Sequence, residues 1–200
     1  MALTAWYLQQ VCAYQQQHGV RLVDYLDVHY YPQGGVDGLG DPGEDAATAA
    51  KRMRSLRELW DPSWVAESWI GDTVQLIPRL RGWIDQNCPG LGLAITEYSW
   101  GSDDGPSGAL AQAEVLAIFG REGVDIATRW VAPEPGTRTV DAFRLFLDYD
   151  GAGGRVDGTS VRATSGDFED VTAYAVEDGA VLRVLLFNHE VTAREADVAI

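Results

Sequence analysis

Leu91–Trp100 reads LGLAITEYSW, and this stretch carries the strongest indication of the fold. Its first six residues, LGLAIT, are almost entirely apolar, which is typical of a strand buried on both faces of a parallel sheet. The strand leads directly into Glu97, so a carboxylate follows its carboxyl end. Ligands bind at this edge in barrels built from β/α units. The stretch therefore predicts both an α/β fold and a candidate site.

Two more segments extend the predicted parallel sheet, RLVDYLDVHYYP (Arg21–Pro32) and VDIATRW (Val124–Trp130). A Gly-rich loop is expected over Gly34–Gly43. The helices are predicted over Thr4–Gln17, over Glu44–Leu59, from an Asp72 cap to just before Pro89, over Gly108–Arg121 after a Ser107 cap, and over Val140–Tyr149. Because each strand precedes helical segments, the order predicts parallel β/α units with helices covering the sheet.

The character of the sequence changes at Gly151–Gly154, and helical periodicity is absent beyond it. VTAYAVE and AVLRVLLFN flank Asp178-Gly179, a pattern that predicts a β-hairpin with a type I′ turn. We expect an antiparallel β module from about Thr159. The predicted division is residues 1–150 for the β/α part and residues 151–200 for the β part.

Both ends of the sequence suggest a partial fold. The chain opens in a predicted helix and closes on the apolar segment DVAI. Three strands cannot close a (β/α)8 barrel, which needs eight strands in roughly 250 residues. The expected architecture is therefore part of such a barrel, followed by the start of an antiparallel β-sandwich.

The net charge of −15, from 30 acidic and 15 basic residues, narrows the possible partners. Nucleic-acid binding needs a basic stripe that the sequence lacks, and anionic membranes would be repelled. A neutral polysaccharide would not be repelled. No apolar run is long enough for a membrane span, and no signal peptide is visible after Met1.

Motifs for cofactors and metals are not found. There is no P-loop, G-x-S-x-G or H-E-x-x-H sequence, so no cofactor is expected. His18, His29 and His189 are too scattered for a metal cluster. A calcium site around Asp103 is possible, but a solvated loop is favoured. Cys12 and Cys88 form no CxxC pair and are interpreted as two separate buried thiols.

Polar and aromatic residues converge where the three predicted strands end. The ends are His29-Tyr30-Tyr31, Glu97-Tyr98 and Arg129-Trp130. Strand alternation places Glu97 on the side of Leu91, Leu93 and Ile95. An imidazole at His29 could hold a nucleophile or substrate by hydrogen bonding. The alternatives are a Glu that merely meets solvent, a structural His, and aromatic strand ends that pack under loops.

Three tryptophans follow the second predicted helix, at Trp60, Trp64 and Trp69. The C–H groups of sugar rings stack well on flat aromatic faces, whereas core packing is the alternative for each ring and is favoured for Trp60. Glu67 between them could bind a sugar hydroxyl, but simple exposure is favoured. The residues expected to contact substrate are His29, Tyr30, Tyr31, Trp64, Trp69, Tyr98, Trp100 and Trp130.

At these residues the sequence resembles glycoside hydrolase family 44, the endoglucanases and xyloglucanases. The similar segments are YLDVHYYPQ, LWDPSWVAESWI, LIPRLRGWI, ITEYSWG, GALAQAEVLAIFGREGVDIATRW and DAFRLFLDYDG. The resemblance implies a secreted enzyme that combines a (β/α)8 barrel with a β-sandwich. It also implies endo-hydrolysis of β-1,4-glucan with retention of configuration. The three strands would be strands six, seven and eight, Glu97 the nucleophile, and Trp69 and Trp130 part of the glycan cleft.

One departure from the family pattern bears on activity. The family's general acid/base is a Glu after an Asn on the fourth strand, but the only asparagines here are Asn87 and Asn188, and neither precedes Glu. Retaining hydrolysis needs two carboxyl groups about 5–5.5 Å apart. We therefore expect little or no activity from this chain alone. The alternatives are a non-catalytic glycan-binding module and a fragment without independent function.

Overall fold

The computed structural model describes residues 2–33 and 42–200, so most of the Gly-rich loop predicted over Gly34–Gly43 lies outside the described residues. It contains one parallel and one antiparallel sheet, each with three strands in the described part of the chain. The helices are α1 (Leu3–His18), α2 (Ala46–Ser55) with a 3-10 turn at Leu56–Leu59, α3 (Leu76–Asn87), α4 (Pro106–Glu122) and α5 (Arg138–Leu147). The strands are β1 (Tyr25–Tyr30), β2 (Gly92–Tyr98), β3 (Ile126–Ala127), β4 (Thr159–Val161), β5 (Val171–Asp178) and β6 (Val181–Asn188).

The parallel sheet has the order β1-β2-β3, which confirms the predicted β/α organisation. Its central strand β2 is the apolar run that precedes Glu97, and Leu93 and Ile95 within it are fully buried. Regular pairing of β3 covers only two residues, but its neighbours continue hydrogen bonding to β2. Backbone N–H groups of Asp125, Thr128 and Trp130 donate to the carbonyls of Leu93, Ile95 and Tyr98 at 2.9, 3.0 and 3.0 Å.

Helices cover one face of this sheet, with α1 against α3, α2 against α4, and α4 against α5. Two predicted helix starts are wrong. The residue before α3 is Gln75, in a left-handed conformation, rather than Asp72, and Pro78 falls within the first turn of the helix, where proline is tolerated. Helix α4 begins at Pro106 after Gly105, because proline suits the first helical position. The Ser107 hydroxyl donates to Glu44 instead.

The prediction for the two cysteines is also wrong. Cys12 and Cys88 form a disulfide with a Cα–Cα distance of 5.3 Å and a sequence separation of 76. The packing of α1 on α3 brings together two residues that sequence spacing gave no reason to pair. The bond fastens the first helix to the end of α3, directly before β2.

The antiparallel sheet has the order β4-β5-β6, and its β5–β6 hairpin confirms the predicted β module. The predicted type I′ turn is wrong. Asp178 pairs with Val181, so the two loop residues are Gly179 and Ala180. Only Gly179 has a positive φ among them, whereas a type I′ turn requires positive φ at both positions.

The β5–β6 hairpin packs one face onto the same core as the parallel sheet. Tyr174, Leu185 and Phe187 on this face are buried in the core cluster that includes Leu93 and Ile95. On the opposite face, Leu182, Val184 and Leu186 remain exposed. No helix in the described part of the chain has the length and apolar character of a membrane span.

Candidate active site

A β-bulge in β2 sets the direction of the Glu97 side chain. Val28 pairs with Ile95, but the next residue of β1, His29, pairs with Glu97, so Thr96 is the extra residue. The Thr96 hydroxyl donates to the carboxylate of Asp27 at 2.7 Å. Asp27 and His29 are two apart on β1 and share a face, so both Thr96 and Glu97 lie on that face.

This geometry overturns the expected orientation of Glu97. Simple alternation placed the carboxylate on the side of Leu93 and Ile95, both of which are fully buried. The bulge restores Tyr98 to that buried side and turns Glu97 to the other, which is open around Asp27 and His29. A bulge re-aims side chains in this way because one extra residue breaks the period of two. The sequence carries no composition signal for it, since Thr96 is an ordinary strand residue.

Two side chains from the end of β1 hold the Glu97 carboxylate. The Tyr31 hydroxyl donates to its Oε2 atom at 3.0 Å, and Nδ1 of His29 lies 3.1 Å from the same oxygen. The Glu97 side chain is 28% exposed, so it remains accessible while both partners restrict its rotation. Desolvation, together with the hydrogen bond to Glu97 and its charge, raises the pKa of Tyr31 above its ordinary value. Tyr31 therefore remains a neutral donor.

Arg129 organises the end of the third strand segment. Its guanidinium pairs with the Asp103 carboxylate and donates to the Val131 carbonyl at 2.5 Å. The next residue, Trp130, is 46% exposed, and its peptide bond to Val131 is cis. A cavity of about 640 Å³ opens beside it, lined by the Ser99–Pro106 loop and by Trp130. Glu97 is not part of that lining.

Three residues expected to contact substrate have their side chains in the core instead. Tyr30, Tyr98 and Trp100 are 8%, 1% and 2% exposed. Each uses its polar atom internally: Tyr30 donates to Glu58, the Tyr98 oxygen accepts from Gln112 at 3.1 Å, and the Trp100 indole donates to Ser55 at 2.9 Å. This burial disagrees with the expectation of sugar contact, because no face of these rings is free.

The three tryptophans after α2 have different surroundings. Trp69 is 81% exposed and Trp60 packs against the core, as favoured. Trp64 lines a second cavity against the β module and lies under the Arg57 guanidinium, 4.2 Å from the ring centroid. Glu67 is exposed at the surface and forms a two-bond ion pair with Arg54 at 2.9 Å.

The strand ends in the sequence do not predict the parts played by Asp27, Asp103 and Arg129. Arg129 directly precedes Trp130 at a strand end, and that position is the one feature of the sequence that indicates its role. Asp103 was assigned to a solvated loop, yet it pairs with Arg129. Across residues 2–33 and 42–200, no group of three or more His, Cys, Asp or Glu side chains is arranged to hold a metal ion.

A carboxylate held by two side chains at the carboxyl edge of a parallel β/α sheet is the type of site found in β/α glycoside hydrolases. The family model for glycoside hydrolase family 44 matches residues 1–34. Endoglucanase A of Paenibacillus lautus is 37% identical over 92% of this chain. The alignment spans only 28% of that relative.

Two solved structures agree in fold as well as sequence. CelM2, a bifunctional glucanase-xylanase from a metagenome library, is 41% identical with a TM-score of 0.89. The match covers 94% of this chain and 36% of the CelM2 chain. A Paenibacillus polymyxa xyloglucanase of family 44, solved with xyloglucan, is 32% identical with a TM-score of 0.83, covering 92% and 38%. The chain is similar to enzymes of glycoside hydrolase family 44 over most of its length, and it spans little more than a third of these structures.

Proposed function

We propose that this chain is the carboxyl-terminal part of a retaining endo-β-1,4-glucanase or xyloglucanase, with Glu97 as its nucleophile. In this proposal β1, β2 and β3 are strands six, seven and eight of a (β/α)8 barrel, residues 1–150 belong to that barrel, and residues 151–200 begin a β-sandwich. The observation that carries the proposal is the Glu97 carboxylate, turned to the open face by the bulge and held by Tyr31 and His29.

The chemistry follows from that arrangement. Glu97 attacks the anomeric carbon as the bond to the leaving oxygen breaks, which produces a covalent glycosyl-enzyme. The hydrogen bond from Tyr31, with the His29 imidazole beside the same carboxylate oxygen, fixes the direction of attack. Water then attacks the anomeric carbon and releases Glu97. A second carboxyl group protonates the leaving oxygen and later activates this water. We assign that group to a part of the enzyme outside these 200 residues.

The proposed substrate is a neutral plant cell-wall β-glucan. Sugar rings stack on exposed aromatic faces, and Trp130 and Trp69 are 46% and 81% exposed. Substrate contacts are therefore proposed for these two rings, for His29 and for Tyr31. The net charge of −15 is compatible with a neutral chain and unfavourable for polyanions. The intact enzyme is proposed to act outside the cell.

An assay that varies the leaving group tests the two carboxylate roles separately. The chain is expected to release few reducing ends from xyloglucan or carboxymethylcellulose, because their leaving oxygens need a proton. It should cleave 2,4-dinitrophenyl β-cellobioside measurably, because dinitrophenolate leaves unprotonated. Glu97→Gln should abolish that cleavage, whereas Glu67→Gln on the surface should not. Robust turnover of xyloglucan, or cleavage of the aryl substrate by Glu97→Gln, would contradict the proposal.

A second candidate is a glycan-binding role without catalysis, which the exposure of Trp69 and Trp130 favours. Affinity electrophoresis in gels containing soluble glucan distinguishes the two. Retardation that is lost in Trp69→Ala or Trp130→Ala, combined with no cleavage of the aryl cellobioside, would support the binding role.

A further inference from the structure

The side chain of Arg129 is buried directly before the exposed Trp130 ring. Only 6% of the Arg129 side chain is exposed, whereas Trp130 is 46% exposed. The Arg129 guanidinium donates to the carbonyl of Val131 at 2.5 Å. The side chain thus extends past Trp130 to the residue on its other side. A buried arginine therefore holds the backbone that carries an exposed aromatic ring.

Strand pairing holds the same backbone from the side of β2. The backbone N–H of Trp130 donates to the carbonyl of Tyr98 at 3.0 Å. Tyr98 directly follows Glu97, so Trp130 is bonded to the strand end that carries the carboxylate. The regular part of β3 covers only Ile126–Ala127. The position of Trp130 therefore depends on contacts made beyond the regular ladder.

The carboxylate of Asp103 fixes the Arg129 guanidinium in turn. The two groups form an ion pair, and the Ser99 hydroxyl oxygen lies 3.4 Å from the guanidinium nitrogen that pairs with Asp103. The Asp103 carbonyl accepts from the backbone N–H of Thr139 at 3.0 Å, and Thr139 is 1% exposed at the start of α5. A guanidinium presents several donors in a rigid plane. Arg129 can therefore join the end of β3 to the loop after β2, and Asp103 joins that loop to α5.

An ion pair of this kind could serve stability alone, and the chain contains such a pair for comparison. Arg81 of α3 pairs with Asp125 at 3.0 Å, directly before β3 begins. The Asp125 carboxylate also accepts from the backbone N–H of Leu93 at 2.8 Å. This pair lies at the opposite end of β3 from Trp130. It fastens the strand but is not next to an exposed ring.

The charge of Arg129 also acts on the Glu97 site. Desolvation and Glu97 raise the pKa of Tyr31, and the positive charge of Arg129 opposes this rise. Electrostatic interactions weaken with distance and are screened by water, so the guanidinium lies near the hydroxyl that holds Glu97. Arg129 is therefore adjacent both to the proposed glucan ring and to the proposed nucleophile.

We propose that Arg129 is a positioning residue for glucan binding, which together with Asp103 holds the Trp130 backbone so that the exposed ring keeps a fixed direction. The inference rests on the proposed function only for the contact between Trp130 and glucan. It does not depend on Glu97 as the nucleophile. A ring fixed before binding loses little conformational entropy when a sugar stacks on it, and this preorganisation strengthens binding.

Affinity electrophoresis of the full chain over a range of xyloglucan concentrations tests the proposal. Arg129→Met keeps the aliphatic stem but removes every guanidinium bond. It should weaken glucan affinity about tenfold, as expected for a lost hydrogen bond to a charged group. Arg129→Lys keeps the charge without the planar fork, so its loss should be about threefold. Arg81→Met is the matched control and should keep the affinity of the original chain.

Two further readouts separate positioning from a general effect on stability. If Arg129 acts through the ring, Arg129→Met should cause no further loss of affinity in a Trp130→Ala chain. In the ¹⁵N-labelled chain without glucan, the steady-state ¹H–¹⁵N NOE of the Trp130 backbone amide should fall in Arg129→Met and stay unchanged in Arg81→Met. Thermal unfolding of each variant confirms that it is folded under the conditions of the assay.

The outcomes distinguish this inference from the proposed function. Full affinity in folded Arg129→Met, while the original chain is retarded, would overturn the positioning role and leave the glucan cleft intact. A tenfold loss that recurs in the Trp130→Ala chain, or an unchanged NOE, would also overturn it. If xyloglucan does not retard the original chain, the glucan contact at Trp130 is contradicted and this inference falls with it. If Arg129→Met does not fold, full affinity in Arg129→Lys would overturn the proposal.

Discussion

Nδ1 of His29 lies 3.1 Å from Oε2 of Glu97, and the two residues are register partners on adjacent parallel strands. They face each other only because Thr96 is an extra residue in β2. Without the bulge, Glu97 would share the buried side of Ile95 and could not reach a ligand. The position of one extra strand residue therefore decides whether this carboxylate is accessible to a ligand.

Tyr31→Phe should slow the reaction at Glu97 without unfolding the protein. The substitution removes the 3.0 Å hydrogen bond that orients the carboxylate and keeps the ring. One such bond corresponds to about 1.5 kcal/mol, or roughly tenfold in rate. The measurement is the rate of dinitrophenolate release from the aryl cellobioside. Tyr7→Phe, a half-exposed position on α1, is the matched control and should keep the original rate.

Trp100→Ala should lower the stability of the fold, whereas Trp130→Ala should weaken glucan binding. Trp100 is 2% exposed and hydrogen-bonded to Ser55, so its truncation should lower the free energy of unfolding by about 3–5 kcal/mol. Trp130 is 46% exposed, so its truncation should barely change stability but weaken retardation in glucan gels. Thermal unfolding and affinity electrophoresis on both variants test this. If glucan gels retard Trp130→Ala as fully as the original chain, the Trp130 ring does not contact the glucan.

Stability should fall as pH rises through the titration of His189. Burial lowers the pKa of His189, but its hydrogen bond to Glu114 and the charge of Glu114 outweigh this, so the folded pKa is raised. Nε2 of His189 lies 2.6 Å from Glu114, whose other donors are Thr172 and Tyr174 at 2.7 and 2.9 Å.

The direction of this pH dependence follows from the linkage between proton binding and folding. A raised folded pKa gives a stabilising contribution that is complete below the unfolded value of about 6.5 and is lost as pH rises through the folded pKa. We expect a loss of about 1–3 kcal/mol, followed by thermal unfolding between pH 5 and 9. His189→Gln should flatten this dependence in the alkaline range, whereas His18→Gln on α1 should not. An unchanged slope in His189→Gln would refute the assignment.

Reduction of the disulfide between α1 and the end of α3 should destabilise the fold. The Cys12–Cys88 disulfide closes a loop with a separation of 76 residues, which corresponds to about 2–4 kcal/mol. Cys12→Ser with Cys88→Ser should therefore lower the denaturant midpoint, and dithiothreitol should lower that of the original chain to a similar value. Dithiothreitol should not affect the double variant. Equal midpoints for oxidised and reduced chain would contradict a structural role.

Much of the architecture was predictable because it depends on periodicity and order. The apolar run at Leu91–Thr96, the alternation of strands with helices and the β5–β6 hairpin are local patterns with local physical causes. The predicted position of Glu97 at a strand end is likewise confirmed. Two of the failures depend on tertiary contacts: the Cys12–Cys88 pairing needs α1 on α3, and the bulge at Thr96 needs the register of β1.

The aromatic residues of the site illustrate the same limit. Tyr30 and Tyr31 are adjacent, yet one donates to buried Glu58 and the other to Glu97. Tyr98 and Trp100 follow Glu97 directly but pack into the core, whereas Trp130 is open. Residue type alone does not separate these cases, because the face of each ring is set by strand pairing. The direction of the Glu97 side chain likewise depends on strand pairing, which residue type does not reveal.

Trapping the covalent intermediate tests whether Glu97 is the nucleophile. The chain is incubated with 2,4-dinitrophenyl 2-deoxy-2-fluoro-β-cellobioside, which needs no acid to release its leaving group, and the product is mapped by peptide mass spectrometry. We expect one fluorocellobiosyl group on Glu97, absent in Glu97→Gln and retained in Glu67→Gln. A label on another carboxylate, or no label on a folded chain, would contradict Glu97 as the nucleophile.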